Sequence, residues 1–171
     1  MQVLPAIPDD IPELVVLINS AYRGEASRKG WTTEADLITG EIRTDESDLE
    51  MQINQPGALM FKCTNENKEI TGCVYLKIKD EKLYLGLLTV LPEKQGLGIG
   101  KILLRFAEKH ARQNQCRYIQ MYVIDLRFEL IEWYEKHGYS TTGKIKPFPS
   151  EAGFGKPTRP LALVELEKRL S

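Results

Sequence analysis

The stretch that decides the fold is LLTVLPEKQGLGIGKILL, residues 87–104. A nearly unbroken apolar run over residues 83–90 is typical of a strand buried on both faces, and Pro92 ends it. Beyond the glycines, the apolar residues recur with the spacing of an amphipathic helix. They are Ile99, Ile102, Leu103, Phe106 and Ala107. The stretch therefore predicts a strand, a glycine-rich turn and a helix, in that order.

The turn between this strand and this helix carries glycines at alternate positions, Gly96, Gly98 and Gly100. Glycine lets the backbone approach a ligand closely, and the first amides of a helix have no partner within the helix. The helix dipole adds about half a positive charge at the same point, so the turn suits a phosphate group. The spacing differs from the G-x-G-x-x-G dinucleotide turn, because the third glycine comes one residue early. It also differs from the G-x-x-x-x-G-K-[ST] loop, because Ile102 stands where a hydroxyl is needed.

Two short motifs resemble those of one enzyme family. The pattern Gln95-x-x-Gly98-x-Gly100 resembles the [QR]-x-x-G-x-[GA] acyl-CoA loop of the GNAT superfamily of N-acetyltransferases. Further along, YEKHGY at residues 134–139 resembles the L-Y-x-K-x-G-F segment of the same superfamily. The motifs follow each other in the family's order and at the family's distance. The resemblance extends over essentially the whole chain.

The composition favours one compact domain that spans residues 1–171. The chain is 42% hydrophobic, which is enough for a substantial core. Its 23 Lys and Arg nearly balance its 24 Asp and Glu, so we expect neither nucleic acid nor a membrane as a partner. The three cysteines form no C-x-x-C pair and their number is odd, which is typical of reduced thiols. We expect no metal, and we expect a soluble cytoplasmic protein, because the start of the sequence lacks a signal-peptide pattern.

Helices are predicted before and after a loop that has no periodicity. Asp10 and Thr33 each open a capping-box signature, ahead of helices that reach Tyr22 and Ile42. A third, short helix is expected near residues 47–53. The sequence between the first two helices is typical of an exposed binding loop. Within it, Tyr22 and Trp31 are candidates for contact with a substrate, although a buried anchoring role explains them equally well.

The remaining elements follow from a change of period. Residues 58–90 alternate as three strands joined by short polar turns, which predicts an antiparallel meander. The helix after Gly98 then acts as a crossover to a parallel strand at residues 118–123. With a short first strand near residues 2–6 and two further strands near the end, we expect an α/β (α+β) fold: a mixed sheet of about seven strands with about four helices.

The resemblance to the GNAT superfamily implies that acetyl-CoA, as co-substrate, lies where the central strand and its parallel neighbour splay apart. It implies that the backbone of the central strand holds the pantetheine arm and that the glycine turn holds the pyrophosphate. Gln95 stands where relatives often carry Arg, so it offers amide donors without charge. The expected cofactor-binding residues are Leu88, Thr89, Val90, Gln95, Gly96, Leu97, Gly98, Ile99, Gly100, Lys101 and Arg127.

The chemistry that the resemblance implies is direct acyl transfer from a thioester to an amine. Tyr134 matches the family's motif tyrosine, and a phenol that is protonated at neutral pH could donate to the departing sulfur. Arg127 stands where relatives commonly carry Asn; it could contact cofactor phosphate or an acidic substrate, or form a surface ion pair. The general base stays open among Tyr84, Glu41, His137 and a water chain.

Three classes of function remain on these grounds. The leading one is an N-acetyltransferase that acts on a small-molecule or peptide amine. The alternative is a non-catalytic acyl-CoA-binding regulatory protein with the same fold, against which Tyr134 argues. A third class, an interaction domain without CoA, leaves the glycine turn unexplained. The sequence identifies neither the acceptor nor the oligomeric state, and a homodimer is as compatible with it as a monomer.

Overall fold

The computed structural model describes residues 1–149 and 153–171. Within them the helices are α1 (Ile11–Tyr22), α2 (Glu46–Ile53), α3 (Ile99–Gln113) and α4 (Phe128–Glu135). The strands are β1 (Gln2–Pro5), β2 (Ala58–Thr64), β3 (Ile70–Lys79), β4 (Lys82–Val90), β5 (Tyr118–Ile124), β6 (Ser140–Pro147) and β7 (Ala162–Arg169). Short 3-10 turns lie at Pro8–Asp10, Glu25–Lys29 and Pro92–Lys94. The predicted architecture, a mixed sheet of about seven strands with about four helices, is confirmed, although one helix predicted along the chain does not form.

The strands form one mixed sheet in the order β1-β2-β3-β4-β5-β7-β6. β1 to β4 are an antiparallel meander, as the short turns between them require. β5 runs parallel to β4, with α3 as the crossover, and β7 and β6 are added antiparallel to it. No helix in the described part of the chain has both the length and the apolar character needed to cross a membrane.

β4 and β5 are paired over only a short distance. Lys82 lies opposite Tyr118, Leu83 opposite Ile119 and Tyr84 opposite Gln120, and the ladder ends there within the described residues. β4 nevertheless continues to Val90 and β5 to Ile124, each paired with its other neighbour. The carboxyl ends of the two parallel strands therefore part in the middle of the sheet. This is the splayed pair that the resemblance to the GNAT superfamily implied.

Two cores hold the sheet on either side of this gap. On one face, Leu83 and Leu85 of β4 and Met121 of β5 are buried under α3 and α4. On the other face, Leu14 and Leu49 bring α1 and α2 against β2, β3 and Tyr84 of β4. Burial of one such leucine contributes about 1.5–3 kcal/mol relative to an exposed one. Because helices pack on both faces of the sheet, the strands on either side of the gap are held in place.

The predicted helix from Thr33 toward Ile42 is wrong. A single turn forms there, in which the amides of Leu37 and Ile38 donate to the Glu34 carbonyl. The next residues then leave the helical path: Ile38 bridges to Pro157, and Gly40 has a positive φ of 87°. The capping signature at Thr33 is only half formed: Thr33 Oγ1 accepts the Ala35 amide at 3.1 Å, but the Asp36 carboxylate pairs with Arg28 at 2.9 Å instead of returning to the Thr33 amide.

The capping box predicted at Asp10 is also wrong. The Asp10 side chain makes no cap for α1 but accepts the amide of Ile7, 2.8 Å away, across the preceding 3-10 turn. It also pairs with Lys62 of β2 at 2.8 Å. Asp10 therefore fastens the start of α1 to the sheet, which a spacing rule within a helix does not foresee.

Candidate active site

A cavity of about 580 Å³ occupies the gap between β4 and β5, a size typical of small-molecule sites. The start of α3 and the inner side of α4 complete one end of it. The other end is covered by two loops: the α1–α2 loop, residues 23–45, and the β6–β7 loop, described at residues 148–149 and 153–161. Phe148, Pro149 and Phe154 of the second loop line the cavity.

The two loops are fastened to each other. The Thr39 amide donates to the Lys156 carbonyl at 2.9 Å, and the Lys156 amide donates to Thr39 Oγ1 at 2.9 Å. Gly155 has a positive φ of 85°, and a Cβ built on it would lie 2.0 Å from the Thr39 carbonyl oxygen. Only glycine allows this close approach. The loops therefore form one wall, although more than a hundred residues separate them in sequence.

The start of α3 presents backbone donors to the cavity. Within the described residues, the amides of residues 98–101 have no protein partner, and the first α3-terminal bond is from Ile102 to the Gly98 carbonyl. Gly96 and Gly98 have φ values of 82° and 88°, and a Cβ added to either meets nothing within 4 Å. Lys101 also lines the cavity. Free amides, open space and a helix N-terminus are the features that bind a phosphate group.

The Gln95 side chain connects this turn to β4 and to the α1–α2 loop by hydrogen bonds. Its Nε2 donates to the Val90 carbonyl at 3.1 Å and to Thr32 Oγ1 at 2.8 Å, while its Oε1 accepts the Trp31 amide at 2.8 Å. Both amide protons are therefore engaged within the protein. Gln95 ties the α1–α2 loop to the open end of β4. Its predicted contact with the cofactor stays a prediction, and the side chain has no free donor for it in this arrangement.

The open edge of β4 carries a bulge. Cys73 pairs with Thr89 and Tyr75 with Gly86, so that two residues of β4 stand opposite one of β3, and Leu87 has a positive φ of 48°. A non-glycine residue in this region costs about 1–3 kcal/mol and is retained where its surroundings hold it.

Side chains hold this bulge in place. Thr89 Oγ1 donates to the Leu87 carbonyl at 2.9 Å, and the Tyr22 hydroxyl donates to the Leu88 carbonyl. Burial raises the pKa of Tyr22 to about 12, so this phenol remains a donor at neutral pH. Tyr22, predicted to contact substrate, therefore also supports the backbone of β4.

The amide of Val90 faces the gap. Its neighbour Leu91 donates to the Thr71 carbonyl on the β3 side, and successive residues of a strand point their backbone groups to opposite sides. The Val90 carbonyl accordingly accepts from Gln95 on the open side. Val90 thus offers an N–H to a ligand that lies along β4.

Tyr134 lies on the α4 wall and is 5% exposed. Its ring packs edge-on against Trp133 and Tyr139, with centroids 5.1 and 5.7 Å away. Within the described residues its hydroxyl has no hydrogen-bond partner. Burial is the main reason that its pKa is raised well above the usual range for tyrosine. A protonated hydroxyl with no protein acceptor therefore borders the cavity.

A buried ion-pair cluster forms the root of the α1–α2 loop. Glu34 lies between two arginines, with Oε1 3.4 Å from Arg23 Nε and Oε2 3.3 Å from Arg127 Nη1. Arg127 Nη2 also donates to the Thr32 carbonyl at 2.7 Å, and Arg23 Nη1 donates to the Phe154 carbonyl at 2.6 Å. Side-chain exposures of 4–9% make these pairs buried. Arg127 therefore anchors a loop, and its predicted role in cofactor binding stays a prediction.

On the side of the sheet covered by α1, the cavity is lined by tyrosines from both parted strands, Tyr84 and Tyr122. The Tyr122 hydroxyl donates to Glu165 Oε2 at 2.8 Å, and Gln120 and Thr142 donate to the same carboxylate. Burial acts to raise the pKa of Glu165, but the three hydrogen bonds outweigh it, and the pKa is lowered. Burial, followed by the bond to Glu165, raises the pKa of Tyr122 to about 12. An ionised carboxylate thus stands behind a protonated phenol.

Most of the predicted site residues meet in this cavity. Those that line it are Tyr22, Trp31, Leu88, Val90, Gln95, Gly96, Gly98, Gly100, Lys101, Arg127 and Tyr134. Three do not: Thr89 is buried with its hydroxyl on the Leu87 carbonyl, Leu97 is 65% exposed, and Ile99 is packed in the core under α3. Trp31 lies beside Trp133, with ring centroids 6.4 Å apart, and therefore near the start of α3.

The sequence analysis missed three charged residues of the cavity lining. Arg23 and Arg43 sit in stretches with no motif, and Glu34 falls in the helix that was wrongly predicted after Thr33. Glu165 was missed because it alternates with apolar residues in an ordinary strand. A buried charge within a strand or beside a helix end is the signal that could have found them, and it becomes visible only once burial is known.

The fold and this site define a class of protein, and comparison with known families agrees. Residues 18–139 match the Acetyltransferase (GNAT) family model. The chain belongs to this family. Within the described residues, no group of three His, Cys, Asp or Glu side chains could hold a metal ion.

Known proteins show the same likeness. An Agrobacterium fabrum protein named as an acetyltransferase is 29% identical over 86 residues, which is 50% of this chain and 61% of that protein. The ribosomal-protein-S18-alanine N-acetyltransferase of Escherichia coli superposes with a TM-score of 0.73 at 14% identity, over 99% of this chain and 94% of that one. A candidate streptothricin acetyltransferase of Bacillus anthracis, solved in complex with acetyl coenzyme A, superposes with a TM-score of 0.58 at 19% identity. The match covers 71% of this chain and 67% of that one.

The ion-pair cluster makes a prediction about stability. Glu34→Gln leaves Arg23 and Arg127 buried without their shared carboxylate, so we expect the free energy of unfolding to fall by about 3–5 kcal/mol. Urea denaturation at pH 7 measures it. Glu25→Gln is the matched control, because Glu25 pairs with Arg28 on the same loop at 3.0 Å while 88% exposed. We expect no measurable change there. Equal effects of the two changes would contradict a special role for the buried cluster.

Proposed function

We propose that the protein transfers an acetyl group from acetyl-CoA directly to an amine, with Tyr134 as the general acid. The observation that carries the proposal is the parting of β4 and β5 beside the four free amides of residues 98–101. Family membership and the neighbour solved with acetyl coenzyme A support the choice of co-substrate. The acceptor is a small-molecule or peptide amine.

The residues present fit acetyl-CoA. Amides 98–101, the open space at Gly96 and Gly98, and the charge of Lys101 suit a pyrophosphate. The Val90 N–H suits an amide carbonyl of the pantetheine arm, as a strand neighbour would. Trp31 and Trp133 provide apolar walls beside this path, so we propose that Trp31, which the sequence suggested for contact with the acceptor, faces the cofactor instead. We assign these residues to the cofactor end of the cavity.

When bound, acetyl-CoA supplies a thioester carbonyl and a thiolate as the leaving group. Tyr134 holds a proton at its hydroxyl across the physiological pH range, because burial keeps its pKa raised. With no protein acceptor within the described residues, that hydroxyl is free to donate into the cavity. It therefore suits the protonation of the departing sulfur.

The acceptor must lose protons as the new C–N bond forms. Deprotonating a lysine-like amine at pH 7 costs about 4.6 kcal/mol, so a base or a water chain takes part. Of the earlier candidates, Tyr84 and His137 border the cavity, and Glu41 is not among its lining residues. The hydrogen-bonded pair of Tyr122 and Glu165 is a further route by which a proton could leave.

The alternative of a non-catalytic acyl-CoA-binding regulator makes a different prediction about turnover. Such a protein binds acetyl-CoA without releasing free thiol in the presence of amines. A regulator of this kind would not need the proton that the unpartnered Tyr134 hydroxyl offers to the cavity. A screen of amines with acetyl-CoA, following free thiol, separates the two functions.

The cofactor assignment is tested by Gly98→Asp. A carboxylate at the helix start would repel a diphosphate, so we expect acetyl-CoA to stop raising the melting temperature. In the wild type, a hundredfold excess over the dissociation constant stabilises the fold by about 2.7 kcal/mol. Gly143→Asp is a matched control: φ is 88° at Gly98 and 89° at Gly143, and both positions are open. It carries the same backbone strain away from the cavity. Calorimetry showing equal CoA affinity in the two variants would contradict the assignment.

The general acid is tested by Tyr134→Phe, which keeps the ring and its packing. We expect kcat to fall by about 10²–10⁴ while CoA affinity stays nearly constant. The deficit should shrink as pH rises past a thiol pKa of about 8.5, because the thiolate then needs no proton.

Tyr139→Phe is the control for this change, because Tyr139 lies on the same aromatic cluster with a buried hydroxyl that has no partner in the described residues. We expect its kcat to match the wild type. Full activity of Tyr134→Phe from about pH 6 to 9, a range that spans the thiol pKa, would remove Tyr134 from the mechanism.

A further inference from the structure

The end of the cavity away from the start of α3, where the acceptor would bind, carries an excess of positive charge. We call it the acceptor end. Among the described lining residues, the formal charges are those of Arg23, Arg43, Lys101 and Arg127 against Glu34 alone. Lys101 stands at the start of α3, at the end assigned to phosphate. The remaining three arginines and one glutamate leave a net charge of two beside the α1–α2 loop. Uncompensated charge at a partly buried surface is costly unless an anion joins it.

Of the three arginines that line the cavity, Arg43 alone has no counterion among the described residues. Within residues 1–149 and 153–171, no carboxylate lies within ion-pair distance of its guanidinium, and the group makes no hydrogen bond. Arg23 and Arg127, by contrast, share Glu34, and the exposed Arg28 pairs with both Glu25 and Asp36. A guanidinium that faces a cavity unpaired has its fork of donors available to a ligand.

The backbone of Arg43 is held firmly. Asn19 of α1 accepts the amides of Arg43 and Thr44 through Oδ1 at 2.7 and 3.0 Å, and its Nδ2 donates to the Thr44 carbonyl at 3.0 Å. Asn19 thus fixes the loop where the guanidinium emerges. A side chain on a fixed backbone loses less entropy when it binds a ligand than one on a free loop.

The neighbours of Arg43 lie at the acceptor face. Burial raises the pKa of the Tyr84 phenol, and the nearby charge of Arg43 acts in the opposite direction. Burial is also the main reason that the pKa of Arg23 is lowered, and Arg43 adds to this as a like charge. Arg43 therefore lies near both Tyr84 and Arg23, on the side of the sheet that is not occupied by α3.

From this arrangement we propose that the amine acceptor carries an anionic group, of the carboxylate class, which Arg43 binds. The inference rests on the proposed acetyl transfer and narrows its acceptor. It favours amino acids and other amines with an acid group close to the nitrogen. It disfavours polycationic amines, because the cavity would repel them. The carboxylate takes a bidentate contact with the guanidinium while the amine points toward the bulge of β4.

The test compares each acceptor with its uncharged counterpart. Wild-type protein is assayed with acetyl-CoA and a set of L-amino acids, and with the carboxamides of the same amino acids. We expect kcat/KM for the preferred amino acid to exceed that for its carboxamide by about tenfold to a hundredfold, the usual effect of one charged hydrogen-bonded contact. The amine of the carboxamide is less basic than that of the amino acid, so more of it is unprotonated at pH 7. This difference alone would favour the carboxamide, so a preference for the amino acid cannot come from amine basicity.

Arg43→Gln assigns the effect to one side chain. We expect it to lower kcat/KM for the amino acid by the same factor and to leave the carboxamide nearly unchanged. Arg43→Lys should recover part of the loss, since it restores charge without the planar fork. The KM for acetyl-CoA and the melting temperature should stay constant in both. Arg28→Gln, an exposed change on the same loop, should alter neither acceptor.

The outcomes separate this inference from the proposed function. Efficient acetylation of carboxamides or polyamines with no gain from a carboxylate would overturn the inference and leave the acetyltransferase assignment intact. An equal loss on both members of each pair in Arg43→Gln would overturn it too, because Arg43 would then act only on structure. Binding of acetyl-CoA with no turnover of any amine would overturn the proposed function and, with it, this inference.

Discussion

The parting of two parallel strands is the constraint on which the rest of this structure depends. β4 and β5 are joined by three residue pairs and then separate, although each strand remains hydrogen-bonded to its other neighbour. A sheet opened in this way exposes backbone groups that must find partners. Part of that need is met from within the chain, because Tyr22 and Gln95 donate to the Leu88 and Val90 carbonyls. The Val90 amide is left without a strand partner, and a ligand lying between β4 and β5 could accept its hydrogen bond as an added strand would.

The ends of the gap are closed in different ways. At one end the helix α3 offers bare amides, which suits a diphosphate and requires no charged side chain. At the other end two loops from distant parts of the sequence are joined by Thr39 and Lys156 and rooted in a buried glutamate between two arginines. Under the proposed function, the first end would serve any acyl-CoA. Specificity for the acceptor would then reside in the second end, where the cavity lining carries a net positive charge.

The sequence was sufficient for the frame and for the strand, glycine turn and helix that border one end of the cavity. The apolar run before Pro92, the alternate glycines and the periodicity of α3 are local patterns, and local patterns survive into the structure. The helix expected from Thr33 to Ile42 stops after one turn because its backbone pairs with a distant loop: Ile38 bridges to Pro157, and the Thr39 amide donates to the Lys156 carbonyl. Gln95 and Arg127 were placed near the ligand, yet their hydrogen bonds lie within the protein. The acceptor end, Arg43 and Glu165 included, is assembled from such long-range contacts, and a single sequence carries no local signal for them.

The central claim, that coenzyme A lies in the gap between β4 and β5, is tested most directly by amide hydrogen exchange with and without acetyl-CoA. Each amide that is now open and then covered should exchange more slowly. The account predicts new protection at Val90 and at residues 98–101, with little change in the β6–β7 pairing on the far side of the sheet. Saturating acetyl-CoA that protects another surface and leaves Val90 and residues 98–101 unchanged would contradict it.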